Sequence, residues 1–174
     1  MPLSDEPTVV PPRAKVVRVH PVDTLAGTVR LPGSKSITNR ALLMAGLADG
    51  RTVVRNVLDC DDSRHMLEAL ERLGVGIRRA GDEVTIDGVG GPFPVHQGEF
   101  FIGNAGTTAR FLTAALAATG GKYAIDGDPR MRLRPIGPLV QTLRDLGADV
   151  DAPSGCPPVR IGARALEGGR ASIP

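Results

Sequence analysis

The sequence predicts an α/β protein (α+β in how its strands and helices alternate) built from repeated βαβαββ units. Three observations carry that prediction. A strand, a glycine turn and an Ala/Leu-rich helix occur in that order twice. Each time a short strand and a second, amphipathic helix follow, and the helix closes on Leu-Gly. Each closure then runs into two short strands.

The first unit opens with AGTVRLPGSKSITNRALLMAGLADG at 26–50, read as a strand, a turn centred on Gly33, and a helix ending at Gly50. GEFFIGNAGTTARFLTAALAATGG at 98–121 reads the same way, with Arg110 in the place of Arg40. Strands are expected next at 52–58 (TVVRNVL) and 122–127 (KYAIDG). Met66, Leu70 and Leu73 then fall at helical spacing in DDSRHMLEALERLG, as do Ile136, Leu139, Leu143 and Leu146 in PIGPLVQTLRDLG. Gly74 and Gly147 stand where a helix ends on a residue with positive φ. VGIRR with EVTIDG, and ADVDA with PVRIGA, complete the two units, about 26–97 and 98–167. GGRASIP at 168–174 echoes GTVRLP at 27–32, so a third unit is expected to begin at 168.

Composition excludes several classes of function. Lys and Arg number 21 against 19 Asp and Glu, a net charge of +2 that gives nucleic acid no general attraction. Five aromatic residues (4 Phe, 1 Tyr, no Trp) offer no stacking platform for single strands. Cys60 and Cys156 form no paired motif, so neither a disulfide framework nor a zinc site is expected, and a reducing cytoplasm suits the chain. No apolar run is long enough to span a bilayer. The acidic, proline-rich start, MPLSDEPTVVPPRAK, lacks a secretory core, and residues 1–25 are expected to be a loose tail. His20, His65 and His96 show no ligand spacing; Asp59, Asp61 and Asp62 suit the start of a helix better than a metal.

Three turns hold the candidate chemistry. In LPGSKSITNRAL, Gly33 permits a tight turn and Ser34 or Ser36 can cap the helix. Free N–H groups at that helix start suit an anion. Lys35 lies there, and Ser36 and Arg40 share a face one turn apart. A lysine at a helix start opposes the dipole unless an anion sits between. A capped surface helix with a solvated lysine and arginine would read alike. The segment is no P-loop, because Ser34 precedes the lysine. In GNAGTTAR, Gly103 and Gly106 flank Asn104 and let backbone approach a ligand; a plain strand-to-helix turn fits equally. In DGDPRMRLRPIG, Arg130, Arg132 and Arg134 alternate, so an extended backbone would send all three to one face. Pro135 would suit the first position of a helix, with Arg134 aimed at an anion there; a solvated basic edge is the alternative.

LPGSKSITNRALLMAGLADG, LDCDDSRHMLEAL, GNAGTTARFLTAAL and GDPRMRLRPIGPLVQTLRDLGA, in this order from Ala26 onward, resemble successive signatures of the 5-enolpyruvylshikimate-3-phosphate synthases. The sister UDP-N-acetylglucosamine enolpyruvyl transferases share the fold but lack the GSKS and RPIG forms. The resemblance implies an inside-out α/β barrel of repeated βαβαββ units. It also implies transfer of enolpyruvate from phosphoenolpyruvate to shikimate-3-phosphate with release of phosphate, without metal or organic cofactor. Residues 26–174 would then be the N-terminal part of the enzyme, broken inside its third unit and without turnover alone. Residues before about Leu31 would belong to the strand crossing between two domains.

Carried over by motif, Lys35 and Arg134 are the implied phosphoenolpyruvate-binding and catalytic cations. Ser36 and Arg40, with Lys35, would hold shikimate-3-phosphate. Gly106 would line the phosphoenolpyruvate pocket where glyphosate also binds, flanked by Asn104 and Thr107. The family's common GNAGTAMRPL has proline where this chain has Phe111, which leaves inhibitor sensitivity open. The family's Ser-Ser-Gln motif and its acid–base carboxylates are not in this sequence, so the remainder of the enzyme is an implied partner. A non-catalytic phosphosugar- or anion-binding module and the sister UDP-N-acetylglucosamine enolpyruvyl transferase are the alternative readings.

Overall fold

A computed structural model describes residues 18–172. The chain divides into a unit ending at Leu31 and a unit starting at Pro32. Residues 18–31 carry no helix or strand, and Val19, Val22, Leu25, Val29 and Leu31 are all exposed. The opening strand expected at 26–31 is therefore not formed. An alternating segment becomes a strand when a neighbour pairs its backbone groups and a layer covers its apolar face. These residues have neither among the described residues. Residues 1–17 of the expected tail lie outside the described residues.

From Pro32 the first repeat comprises α1 (Lys35–Leu47), β1 (Asp49–Val54), α2 (Asp61–Arg72), β2 (Gly76–Ala80) and β3 (Glu83–Val89). The second comprises β4 (Gln97–Phe101), α3 (Gly106–Thr119), β5 (Lys122–Asp126), α4 (Gly137–Asp145), β6 (Val150–Asp151) and β7 (Val159–Ile161). The strand expected at 52–58 sits earlier, over Asp49–Val54. Asn56 takes φ 56°, which breaks the extended run, and the Leu58 N–H turns to Thr38 Oγ1 at 3.2 Å. Residues 168–172, expected to open a third unit, are irregular and exposed; 173 and 174 lie outside the described residues.

The two repeats share one topology. The first sheet runs β1-β3-β2 and the second β4-β5-β7-β6, so β5-β7-β6 reproduces β1-β3-β2. These pairings are antiparallel, and β4 joins β5 in parallel. The second helices also end alike. Val75 N–H bonds to Leu70 O and Ala148 N–H to Leu143 O, both at 3.0 Å, around Gly74 (φ 92°) and Gly147 (φ 98°). That is the Schellman closure which the Leu-Gly endings predict.

Helices α1, α2 and α3 pack against one another; α1 also covers β3, and α3 touches β5, β7 and α4. Leu42, Leu70, Ile86, Leu112, Leu116 and Ile125 are fully buried between these layers. Each such side chain stabilises the fold by about 1.5–3 kcal/mol through area removed from water. No helix among the described residues is long and apolar enough to cross a membrane.

Candidate functional site

The first turn of α1 is seated by close backbone approach. A Cβ on Gly33 would stand 3.0 Å from Leu58 N and closer still to Asn56 O, so only glycine fits. Ser34 takes the N-cap position and its carbonyl accepts the Thr38 N–H at 2.8 Å, but no side chain caps the helix. The expected serine cap is absent. Beside this start, Lys35 Nζ lies 3.4 Å from Asp62 Oδ1, with the lysine half-exposed and the carboxylate 14% exposed. The anion expected against Lys35 is thus supplied by α2. The aspartates do not cap α2 either: Cys60 is its N-cap, exchanging bonds with Ser63, and Asp59 pairs with Arg64 at 3.0 Å.

A buried polar junction ties three helix starts together. Asn39 Nδ2 donates to Thr108 Oγ1 at 3.1 Å, and that hydroxyl donates to Asp62 O at 3.1 Å. Both side chains are fully buried. The links join α1, α3 and α2, so the carbonyl of the residue facing Lys35 is bound to the first turn of α3. The sequence alone points to neither Asn39 nor Thr108, and places Asp62 only at the start of α2. The only signal was a polar residue on the inner face of each helix.

Arg134 sits where two loops are zipped. Ile102 N–H bonds to Asp126 O at 2.9 Å, and Asp128 N–H to Gly103 O at 3.0 Å. A Cβ on Gly127 would meet Met131 Cβ at 2.7 Å, so glycine lets the loops close. Asp128 Oδ1 then accepts the Met131 N–H at 2.8 Å and starts a 3-10 turn, Met131–Leu133. From that turn Arg134 reaches back. Its Nη1 donates to Asn104 O at 3.0 Å and lies 3.3 Å from Asn104 Oδ1, while its guanidinium rests on Gly106. Arg110 fastens the same place, donating to Gly106 O at 3.2 Å and Pro135 O at 2.8 Å.

Two expectations for this segment are corrected. The 3-10 turn replaces the extended run, so the three arginines do not share a face. Arg132 turns to Asp126 through two bonds, 3.0 and 2.5 Å, whereas Arg130 and Arg134 line one cleft of about 480 Å³ with Asn104 and Leu133. The Arg132 bond holds the Asp126 carboxyl below the usual carboxylate range; burial opposes this, and the Gly127 N–H adds to it. Pro135 is not the first helical residue: α4 begins at Gly137, and the N–H groups of Ile136 and Gly137 both go to Gly155 O. The first two N–H groups of that helix start are thus taken by the chain itself.

Ser36 and Arg40 stand together, since Arg40 Nη1 donates to Ser36 O at 2.9 Å. The Arg40 guanidinium also lies 4.9 Å from the centre of the Phe111 ring. Phe111 therefore packs against Arg40. Thr107 is half-buried in the first turn of α3. Lys35 is linked to the Gly106 turn through Asp62 and Thr108, while Ser36 and Arg40 lie outside that set of contacts. Among the described residues no cluster of three or more His, Cys, Asp or Glu is placed to hold a metal.

Comparison with known proteins decides the family. The model of the EPSP synthases (3-phosphoshikimate 1-carboxyvinyltransferases) matches residues 19–174. The chain belongs to the EPSP synthase family. It is 54% identical over 143 residues to the 3-phosphoshikimate 1-carboxyvinyltransferase of Paraburkholderia phymatum, covering 81% of this chain and 33% of that one. The Cupriavidus taiwanensis enzyme is 55% identical over the same coverage. EPSP synthase from Acinetobacter baumannii superposes with a TM-score of 0.78 at 32% identity, over 85% of this chain and 34% of its own. The enolpyruvyl transferase NikO from Streptomyces tendae, at 20% identity and TM-score 0.53 over 82% of this chain and 32% of its own, shares the fold alone. The chain spans about a third of the length of the EPSP synthases it matches.

Proposed function

We propose that this chain forms the phosphoenolpyruvate-binding and shikimate-binding part of an enolpyruvyl transferase. In this reading the enzyme joins phosphoenolpyruvate to the 5-hydroxyl of shikimate-3-phosphate in the cytoplasm and releases phosphate, without cofactor. One observation carries the proposal: in a chain of this family, the Arg134 guanidinium is held by Asn104 across the bare Cα of Gly106. A guanidinium fixed in advance binds an oxyanion through paired N–H donors with little ordering left to do.

The roles follow from the contacts. Arg134 and Lys35 neutralise phosphoenolpyruvate, Lys35 exchanging its resident partner Asp62 for the ligand. Gly106 leaves the space in which the Arg134 guanidinium lies, so that the ligand, or glyphosate as its competitor, binds beside that guanidinium, and Asn104 and Thr107 line the place. Arg40 uses one nitrogen on Ser36 O, which leaves the rest of its fork, with the Ser36 hydroxyl, for the shikimate carboxylate. The acid–base groups come from the rest of the enzyme's length.

Titration of the isotope-labelled chain with phosphoenolpyruvate, shikimate-3-phosphate and UDP-N-acetylglucosamine tests this reading. Shifts centred on residues 34–40 and 103–107 and on Arg134 are expected with the first two ligands, without turnover. A response to the UDP-sugar alone would assign the sister activity. An equal response to sulfate would leave only an anion-binding module.

A further inference from the structure

The segment 126–134 distributes its charges unevenly. Asp126 is committed to Arg132, and Asp128 Oδ1 to the Met131 N–H. Elsewhere several surface arginines meet carboxylates, as Arg51 meets Asp87, Arg79 meets Glu71, and Arg144 meets Asp151, while others do not. Arg130 has no ion pair or side-chain hydrogen bond among the described residues, yet it lines the same cleft as Arg134. The other lining residues, Asn104 and Leu133, bring no negative charge. Two arginines thus line one small cleft to which no acidic residue contributes.

Like charges gathered in a cleft repel one another, and the field they focus favours an anion of matching charge. The backbone is arranged to keep them there. The 3-10 turn spaces Arg130 from Arg134 and sends Arg132 to Asp126, so the pair on the cleft is selected by a fixed turn. Arg134 N–H to Met131 O at 2.9 Å and Leu133 N–H to Arg130 O at 3.2 Å hold that turn closed.

We propose that Arg130 is a second anion-binding residue of the Arg134 cleft, selecting a ligand group with two negative charges, such as a phosphate, over a single carboxylate. The proposal rests on the reading of Arg134 given above and extends it to a residue that the motif comparison leaves without a role.

The test compares the labelled chain with Arg130→Met, Arg130→Lys, Arg132→Met and Arg134→Met, each titrated with phosphoenolpyruvate and with pyruvate at millimolar concentration. Arg130 is exposed, so superimposable spectra outside residues 126–136 are expected and report an intact fold. Arg130→Met should weaken phosphoenolpyruvate binding about tenfold, the loss of one charge-assisted contact. Pyruvate binding should change by about twofold or less, since it lacks the phosphate. Arg130→Lys should fall between, and Arg132→Met should match the parent. If Arg134→Met weakens binding while Arg130→Met does not, or if Arg130→Met weakens both ligands equally, this inference is overturned and the proposed function stands. If Arg134→Met has no effect, or the parent chain fails to bind phosphoenolpyruvate, the proposed function falls with it.

Discussion

The guanidinium of Arg134 rests on Gly106: a Cβ at that glycine would stand 2.5 Å from Arg134 Cζ. The obstacle is the far end of a flexible side chain, so Gly106→Ala should fold with little loss of stability. It should still push Arg134 off Asn104 and weaken phosphoenolpyruvate binding about tenfold, one charge-assisted contact's worth. Thermal unfolding and titration on the same sample check both halves. A variant that binds normally would show that the contact does not position Arg134.

Lys35 and Asp62 give a prediction with opposite signs. Their contact at 3.4 Å involves a half-exposed lysine, so it contributes about 1 kcal/mol or less to stability. Lys35→Met should weaken phosphoenolpyruvate binding. Asp62→Asn removes the resident competitor for the ammonium group and should strengthen binding a few-fold, by roughly 0.5–1 kcal/mol. If Asp62→Asn weakens binding instead, the carboxylate orients Lys35 and does not compete with the ligand.

The Asn39–Thr108 bond is buried on both sides, and its loss should register in stability. Thr108→Val keeps the shape but strands the Asn39 amide and frees Asp62 O. Leaving buried groups unpaired costs about 1–3 kcal/mol, measurable by urea unfolding. An unchanged midpoint would mean that water replaces the hydroxyl at no cost.

Asp126 sets part of the acid limb of stability. The Arg132 bond holds its folded pKa below the unfolded value, so its contribution is present above the unfolded value and is lost as pH falls through the folded one. Arg132→Met should therefore flatten the fall in stability below about pH 4, the unfolded carboxylate range, and Asp126→Asn should flatten it equally. Parallel acid titrations of unfolding, with and without each substitution, measure this. Curves for Arg132→Met that keep the parent slope would place the acid sensitivity elsewhere.

Much of the fold was legible because each repeat is written in local signals. The Leu-Gly closures at Gly74 and Gly147 and the spacing of Met66, Leu70, Ile136 and Leu143 specify helices and their ends without tertiary information. The strand at 26–31 failed because alternation proposes a strand but only a paired neighbour makes one. Of the candidate site, glycine turns pointed to the segments of Lys35 and Gly106, and alternating arginines before Pro135 to that of Arg134, yet the 3-10 turn that separates Arg132 from its neighbours depends on Asp128 and on Gly127 meeting Gly103. Asn39 and Thr108 were invisible, and Asp62 was legible only as a helix-start residue, because their partners lie on other helices, brought together only by packing.

The proposed role of Lys35 and Arg134 in enolpyruvyl transfer can be measured in turnover. The direct measurement is phosphate release by a chimera in which this chain replaces the matched 143 residues of the Paraburkholderia phymatum enzyme. Turnover of phosphoenolpyruvate with shikimate-3-phosphate is expected, with losses of about a hundredfold in kcat/KM, on the order of 3 kcal/mol, for Lys35→Met and for Arg134→Met in that chimera. A folded chimera without turnover, or one in which both substitutions leave kcat/KM unchanged, would contradict that role.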